Sequence, residues 1–170
     1  MKYLRLDKAE RKALMDDLEG MADFMAARFA SLSPDEASRP GPDESLSPVE
    51  QCWHLAELET EGFGARIRLL LDAEDPFLPD FDGARLARER NYRARSLDEG
   101  LAAFRAGRQA NLALLRSVVP DQWTRTGTQE GVGRVALCDL PHMMAEHDDT
   151  HRAEIEAWGS GPSGGADRNG

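Results

Sequence analysis

Two histidines, His147 and His151, stand four residues apart in a segment where Leu137, Leu140, Met144, Ile155 and Trp158 continue the same helical stripe. Both side chains therefore point inward from an amphipathic helix. Residues four apart on a helix have Cβ atoms about 6 Å from each other, close enough for two imidazoles to hold one metal ion. Burying two imidazoles without a ligand or partner is costly, which adds weight to the pair. A catalytic metal commonly has three protein ligands and an open position, so a third donor is needed. His54 is the candidate, one residue before Leu55 and four before Leu58, on or beside the buried face of another helix. Taken alone, such a histidine more commonly reads as a core residue satisfied by one hydrogen bond.

Two familiar metal architectures can be set aside. A zincin needs Glu directly after the first histidine, and here Asp148 follows His147. Carboxylate-bridged di-iron bundles use Glu-x-x-His pairs, and no Glu stands three residues before any histidine. The pattern predicts a mononuclear site, suited to Zn, Ni or Fe(II).

Other residues have two readings each. Arg108 falls on the apolar stripe of its helix, either as a side chain whose stem covers the core while its head reaches water or as a buried guanidinium aimed at the site. Glu59 and Glu61 lie five and seven residues past His54. Glu61 is nearer the face of His54 and is either a general base or extra ligand, or a solvated acid. His142 is rotated off the stripe and expected at the surface. Cys52 projects to a different side from His54 and reads as packing.

These residues must be positioned by helices. Leu14, Leu18, Met21 and Met25 recur at spacings of four, three and four in a first helix expected over Asp7 to Ala30. A Pro- and Ser-rich connection, Ser31 to Leu46, is long enough to cross from one end of a bundle to the other. Ser47-Pro48-Val49-Glu50 is a capping box with Pro at the first helical position, opening a second helix expected to end near Asp72. A loop over Ala73 to Arg95 precedes a second capping box, Ser96 to Glu99. The third helix carries the stripe Leu97, Leu101, Phe104, Arg108, Leu112 and Leu115 and stops before Pro120. Gly127, Gly131 and Gly133 mark a loop over Asp121 to Arg134, after which a fourth helix runs to about Trp158. Pro141 implies either a separate first turn or a bend. No alternating β-branched run competes as a sheet, so the expected class is all-α.

The 170 residues suit one domain, expected over residues 1–158, with the Gly- and Ser-rich residues 159–170 as a tail. The 31 acidic residues exceed the 21 basic ones, giving a net charge of −10 that disfavours nucleic acid and anionic membrane surfaces as partners. No apolar run approaches the roughly 20 residues that span a bilayer, and the start has no signal-peptide core, so a cytoplasmic protein is expected. Cys52 and Cys138 form no C-x-x-C pair and are expected as free thiols.

The order of these features resembles the DinB-like superfamily. The resemblance is carried by S-P-x-E-x-x-x-H-L-x-x-x-E from Ser47 to Glu59, Pro79-Asp80-Phe81-Asp82, L-x-x-F-x-x-x-R ending at Arg108, and H-D-x-x-H from His147 to His151. It places His54, His147 and His151 on that superfamily's metal-binding triad and Glu59 and Arg108 on its recurrent acidic and basic positions. The chain departs from the pattern at Gln129 and Glu130, where His and Pro are common, at Glu154, where Gln is usual, and at Pro141, which interrupts a stretch that is usually regular helix. The resemblance implies a four-helix bundle with a long crossover connection and a metal at one end of its core, often as a homodimer. Its members include thiol-dependent transferases and isomerases and metal-dependent hydrolases.

The leading expectation is an enzyme in which one divalent ion activates a water or a low-molecular-weight thiol, with Arg108 holding an anionic group of a small-molecule substrate and Glu61 as candidate base. The other is a noncatalytic binding or stress-response protein with a degenerate or stabilising site.

Overall fold

The computed structural model describes residues 1–160. The first long helix begins where Asp7 accepts from the Glu10 backbone N–H while the Glu10 side chain reaches back, a reciprocal cap. After a short α1 (Lys2–Arg5), this is α2 (Lys8–Phe29), whose buried face includes Leu18, Met21 and Met25. The connection that follows contains α3 (Pro34–Ala37) and is tied to the last helix by Trp158 Nε1 donating to the Arg39 carbonyl at 2.9 Å.

The Ser47 cap forms as the sequence predicts: its backbone N–H donates to Glu50 at 3.0 Å. It opens α4 (Pro48–Glu57), which runs through a π-helical turn, Leu58–Phe63, into α5 (Gly64–Asp72). A π turn inserts one extra residue and is wider than an α turn. Two glycines make room for it: a Cβ on Gly107 would lie 2.9 Å from the Glu59 Cβ, and one on Gly64 would lie 2.5 Å from the Glu59 carbonyl oxygen.

The expected loop over Ala73 to Arg95 instead holds a two-residue strand, β1 (Phe77–Leu78), and α6 (Gly83–Glu89). Glu57 clamps this segment to α4, accepting from Arg90 at 2.5 Å, Arg95 at 3.1 Å and the Tyr92 hydroxyl. Ser96 caps α7 (Leu97–Ser117) by accepting from Glu99 N–H at 3.2 Å.

The mostly helical bundle that the sequence predicts also carries a small three-stranded sheet. β2 (Thr126–Gln129) pairs antiparallel with β3 (Gly133–Ala136) and parallel with β1. These strands are too short to show alternation, and their signal is the turn chemistry alone: Gly131 and Gly133 take φ of +72° and +101°. The last helix therefore starts later than expected, as α8 (Leu140–Gly159) after a 3₁₀ turn, Leu137–Asp139. Pro141 sits in its first turn, where no N–H is required, so the 3₁₀ turn before it is the separate turn and α8 needs no bend there.

Helix α7 packs on α4 and on α2, and α2 packs on α8, giving the four-helix bundle. Its core has one cluster around Leu18, Leu58, Leu112 and Met144 and another around Met21, Met25, Leu55, Phe104 and Ile155. Cys52 and Cys138 are buried and unpaired. No described helix is long and apolar enough to cross a membrane. Of the expected tail, residues 161–170 lie outside the described residues.

Candidate metal centre

His54 comes from α4, and His147 and His151 from successive turns of α8, so the two helices must face each other for the three rings to meet. They do: each ring offers one nitrogen, and the three nitrogens all lie within 4.8 Å of one another. Ring centroids are 4.4 Å apart for His147 and His151, 5.0 Å for His54 and His151, and 5.6 Å for His54 and His147. His151 is buried, and the other two are half-buried.

The donor set fits a divalent metal. The Nε2 atoms of His147 and His151 are 3.3 Å apart. That matches the ligand-to-ligand edge of about 3.3–3.4 Å in a tetrahedral site with metal–nitrogen bonds of about 2.0–2.1 Å. Burial pushes the pKa of His54 down to about 4 and that of His147 down to about 3, and in both cases His151 adds to the depression. Both rings are neutral near pH 7, the form in which imidazole binds metal.

Behind His151 stands a polar chain. Its Nδ1 is 2.5 Å from Gln51 Oε1, and Gln51 Nε2 donates to Glu154 Oε2 at 2.7 Å. Glu154 Oε2 is also 3.3 Å from His151 Nδ1. The hydrogen bond from His151, against the opposing effect of burial, draws the Glu154 carboxyl down to about 2, so it stays ionised.

Hydrophobic rings wall the histidines: Phe81 meets His54 edge-on at 5.9 Å and Phe63 meets His147 at 6.1 Å. Beside them a cavity of about 310 Å³ is lined by His54, His151, Glu154, Ser45, Leu46 and Gly83. Gly83 approaches so closely that a Cβ there would lie 2.5 Å from His54 Cε1 and 2.6 Å from its Nδ1.

The structure brings the three predicted histidines together and leaves both predicted auxiliary residues out of the cluster. Glu61 is exposed and accepts from Arg90 at 2.7 and 3.1 Å. Arg108 is 2% exposed, so it is the buried guanidinium of the two readings, but both its terminal nitrogens are committed and only its Nε is without a partner. It donates to Asp148 at 2.6 and 2.8 Å and to the Leu18 carbonyl at 2.7 Å, and it pairs with Glu59 at 2.8 Å. Burial opposes its charge, but Asp148 and Glu59 outweigh that and hold its pKa above the usual guanidinium range. Glu59 also accepts from Asn111 at 2.8 Å. Cys52 is packing, its thiol raised by burial beyond any nucleophilic range. His142, expected at the surface, is half-buried. The sequence reading missed Gln51 and saw Glu154 only as a departure. The available signal was spacing, since Gln51 stands three residues before His54 and Glu154 three after His151.

The sequence model of the DinB superfamily matches residues 17–155. No curated protein matches the sequence significantly. Among solved structures, YfiT from Bacillus subtilis, described as a probable metal-dependent hydrolase with an unusual four-helix bundle topology, superposes with a TM-score of 0.80 at 18% identity, covering 89% of this chain and 86% of that one. A mycothiol-dependent maleylpyruvate isomerase superposes with a TM-score of 0.71 at 11% identity over 91% of this chain and 63% of that one. This chain thus spans less than two-thirds of the isomerase. At these identities both likenesses establish the fold.

Proposed function

The chain belongs to the DinB superfamily, and from that premise we propose that it is a metal-dependent enzyme of the thiol-transferase or hydrolase type, with His54, His147 and His151 as the ligands of one Zn, Ni or Fe ion. The observation that carries the reading is the convergence of three imidazoles from two helices beside an open cavity. Among the described residues no Cys, Asp or Glu joins the three-histidine group, which supports a centre with a position left for a small molecule. When bound, the ion would lower the pKa of a water or a low-molecular-weight thiol and so supply a nucleophile at neutral pH.

The protein's own residues do the rest. His54 and His147 are presented neutral by burial, and Phe63 and Phe81 keep the site's dielectric low, which strengthens electrostatic interactions inside it. The cavity holds a small ligand against His54 and His151. Arg108 serves the site at one remove, by fixing Asp148 in the α8 turn that also carries His147. The hydrolase reading is supported by the likeness to YfiT and the thiol reading by the likeness to the isomerase.

Turnover of activated esters, and of an electrophile together with a low-molecular-weight thiol, tests this. Metal-loaded protein should accelerate one of the two reactions, and His147→Ala should abolish that acceleration. A fully loaded protein inert in both would leave the centre without the proposed chemistry.

A further inference from the structure

His151 differs from the other two histidines in what stands behind it. Its Nδ1 faces Gln51 Oε1 at 2.5 Å and Glu154 Oε2 at 3.3 Å, whereas the Nδ1 of His147 is buried with no partner. The polarity of this chain is fixed by elimination. An ionised carboxylate can only accept hydrogen bonds. Glu154 therefore takes the amide N–H of Gln51 at 2.7 Å, which turns the amide oxygen toward His151. An amide oxygen also only accepts, so the ring nitrogen facing it must carry the proton. In a neutral imidazole the other nitrogen is then a bare lone pair.

We infer that Gln51 and Glu154 are positioning residues that lock His151 in its Nδ1–H tautomer and so leave Nε2 ready to bind the metal. The polar chain thus selects one of the two tautomers open to a neutral histidine ring. It also places a full negative charge behind the ligand, which raises the donor strength of Nε2. The ordering runs outward from acid to amide to imidazole, and it depends on Glu154 being a carboxylate: an amide at that position could present either a donor or an acceptor to Gln51. The assignment of a metal to Nε2 rests on the proposed function, but the tautomer does not.

The test is a long-range ¹H–¹⁵N correlation spectrum of the metal-free protein labelled in histidine, followed by zinc titration of the same samples. Wild type should show His151 with a protonated Nδ1 and a pyridine-type Nε2. Gln51→Leu and Glu154→Ala should each shift His151 toward the other tautomer and weaken zinc binding about tenfold or more. Glu154→Gln should retain part of both properties, because its amide oxygen can still accept from Gln51. A protonated Nε2 in wild type, or variants that lose stability while keeping tautomer and zinc affinity, would overturn the inference. Should Gln51→Leu fail to fold, the wild-type spectrum and Glu154→Ala still decide it. Zinc binding with the wrong tautomer defeats this inference alone, and the right tautomer without zinc binding defeats the proposed function alone.

Discussion

Arg108 on α7 and Asp148 on α8 meet in a two-pronged ion pair, Nη1 to Oδ2 at 2.6 Å and Nη2 to Oδ1 at 2.8 Å, with both side chains almost fully buried. Asp148 directly follows His147, so the pair fixes the turn of α8 that presents one of the three histidines. Removing one partner of a buried pair leaves an uncompensated charge, at a cost of about 3–5 kcal/mol. Arg108→Ala strands both Asp148 and Glu59, while Asp148→Ala leaves Arg108 paired with Glu59. Urea denaturation should therefore rank Arg108→Ala as the more destabilising. Equal losses would show that Glu59 contributes nothing to holding the guanidinium.

Two glycine substitutions should have opposite signs. At Gly107 a Cβ would lie 2.9 Å from the Glu59 Cβ in the π turn, so Gly107→Ala should destabilise by about 1–3 kcal/mol. Gly20 lies within α2 with nothing within 4 Å of an added Cβ. There alanine should stabilise by roughly 0.5–1 kcal/mol, its ordinary helix advantage over glycine. Denaturant midpoints of the two variants check both signs.

Gly83→Ala should act on the site more than on the fold. Its Cβ would lie 2.5 Å from a ring atom of His54 and must displace that imidazole. We expect zinc affinity to fall roughly tenfold, with a far-UV spectrum like that of wild type. Unchanged affinity would mean that His54 is not held by α6.

The alkaline limb of stability should depend on Tyr92. Its pKa is raised above the ordinary 10.0 by burial and then by the hydroxyl's hydrogen bond to Glu57. The folded chain thus holds this proton more tightly than the unfolded one. The contribution is fully present below about pH 10 and declines as pH rises from there through the folded value. Tyr3 is raised as well, so the readout is a difference: urea midpoints of Tyr92→Phe should fall less steeply above pH 10 than those of wild type. Parallel curves would contradict the assignment.

Much of the bundle was legible because its signals are local. Ser47 with Glu50 marked the start of α4, and the spacing from Leu97 to Leu115 marked the buried face of α7, including the burial of Arg108 as one of two readings. The H-x-x-x-H spacing put two rings on one face. Periodicity tells which face is buried but not what lies across from it. Glu59 could not be matched to Arg108 or Asn111 until the π turn, packed on Gly107, rotated it inward. Gln51 and His151 are far apart in sequence and meet only because α4 faces α8. The strands were missed because two to four residues show no alternation. Glu61 was drawn toward the site by a regular α-helical count from His54, which the π turn breaks.

The proposed function stands on His54, His147 and His151 holding one divalent ion. Elemental analysis of the full chain purified without chelator, beside His147→Ala prepared identically, tests it most directly. Wild type should carry close to one equivalent of zinc, nickel or iron per chain, and the variant a small fraction of that. A metal-free wild type that also takes up none of these ions on dialysis, or a variant that retains the full equivalent, would contradict it.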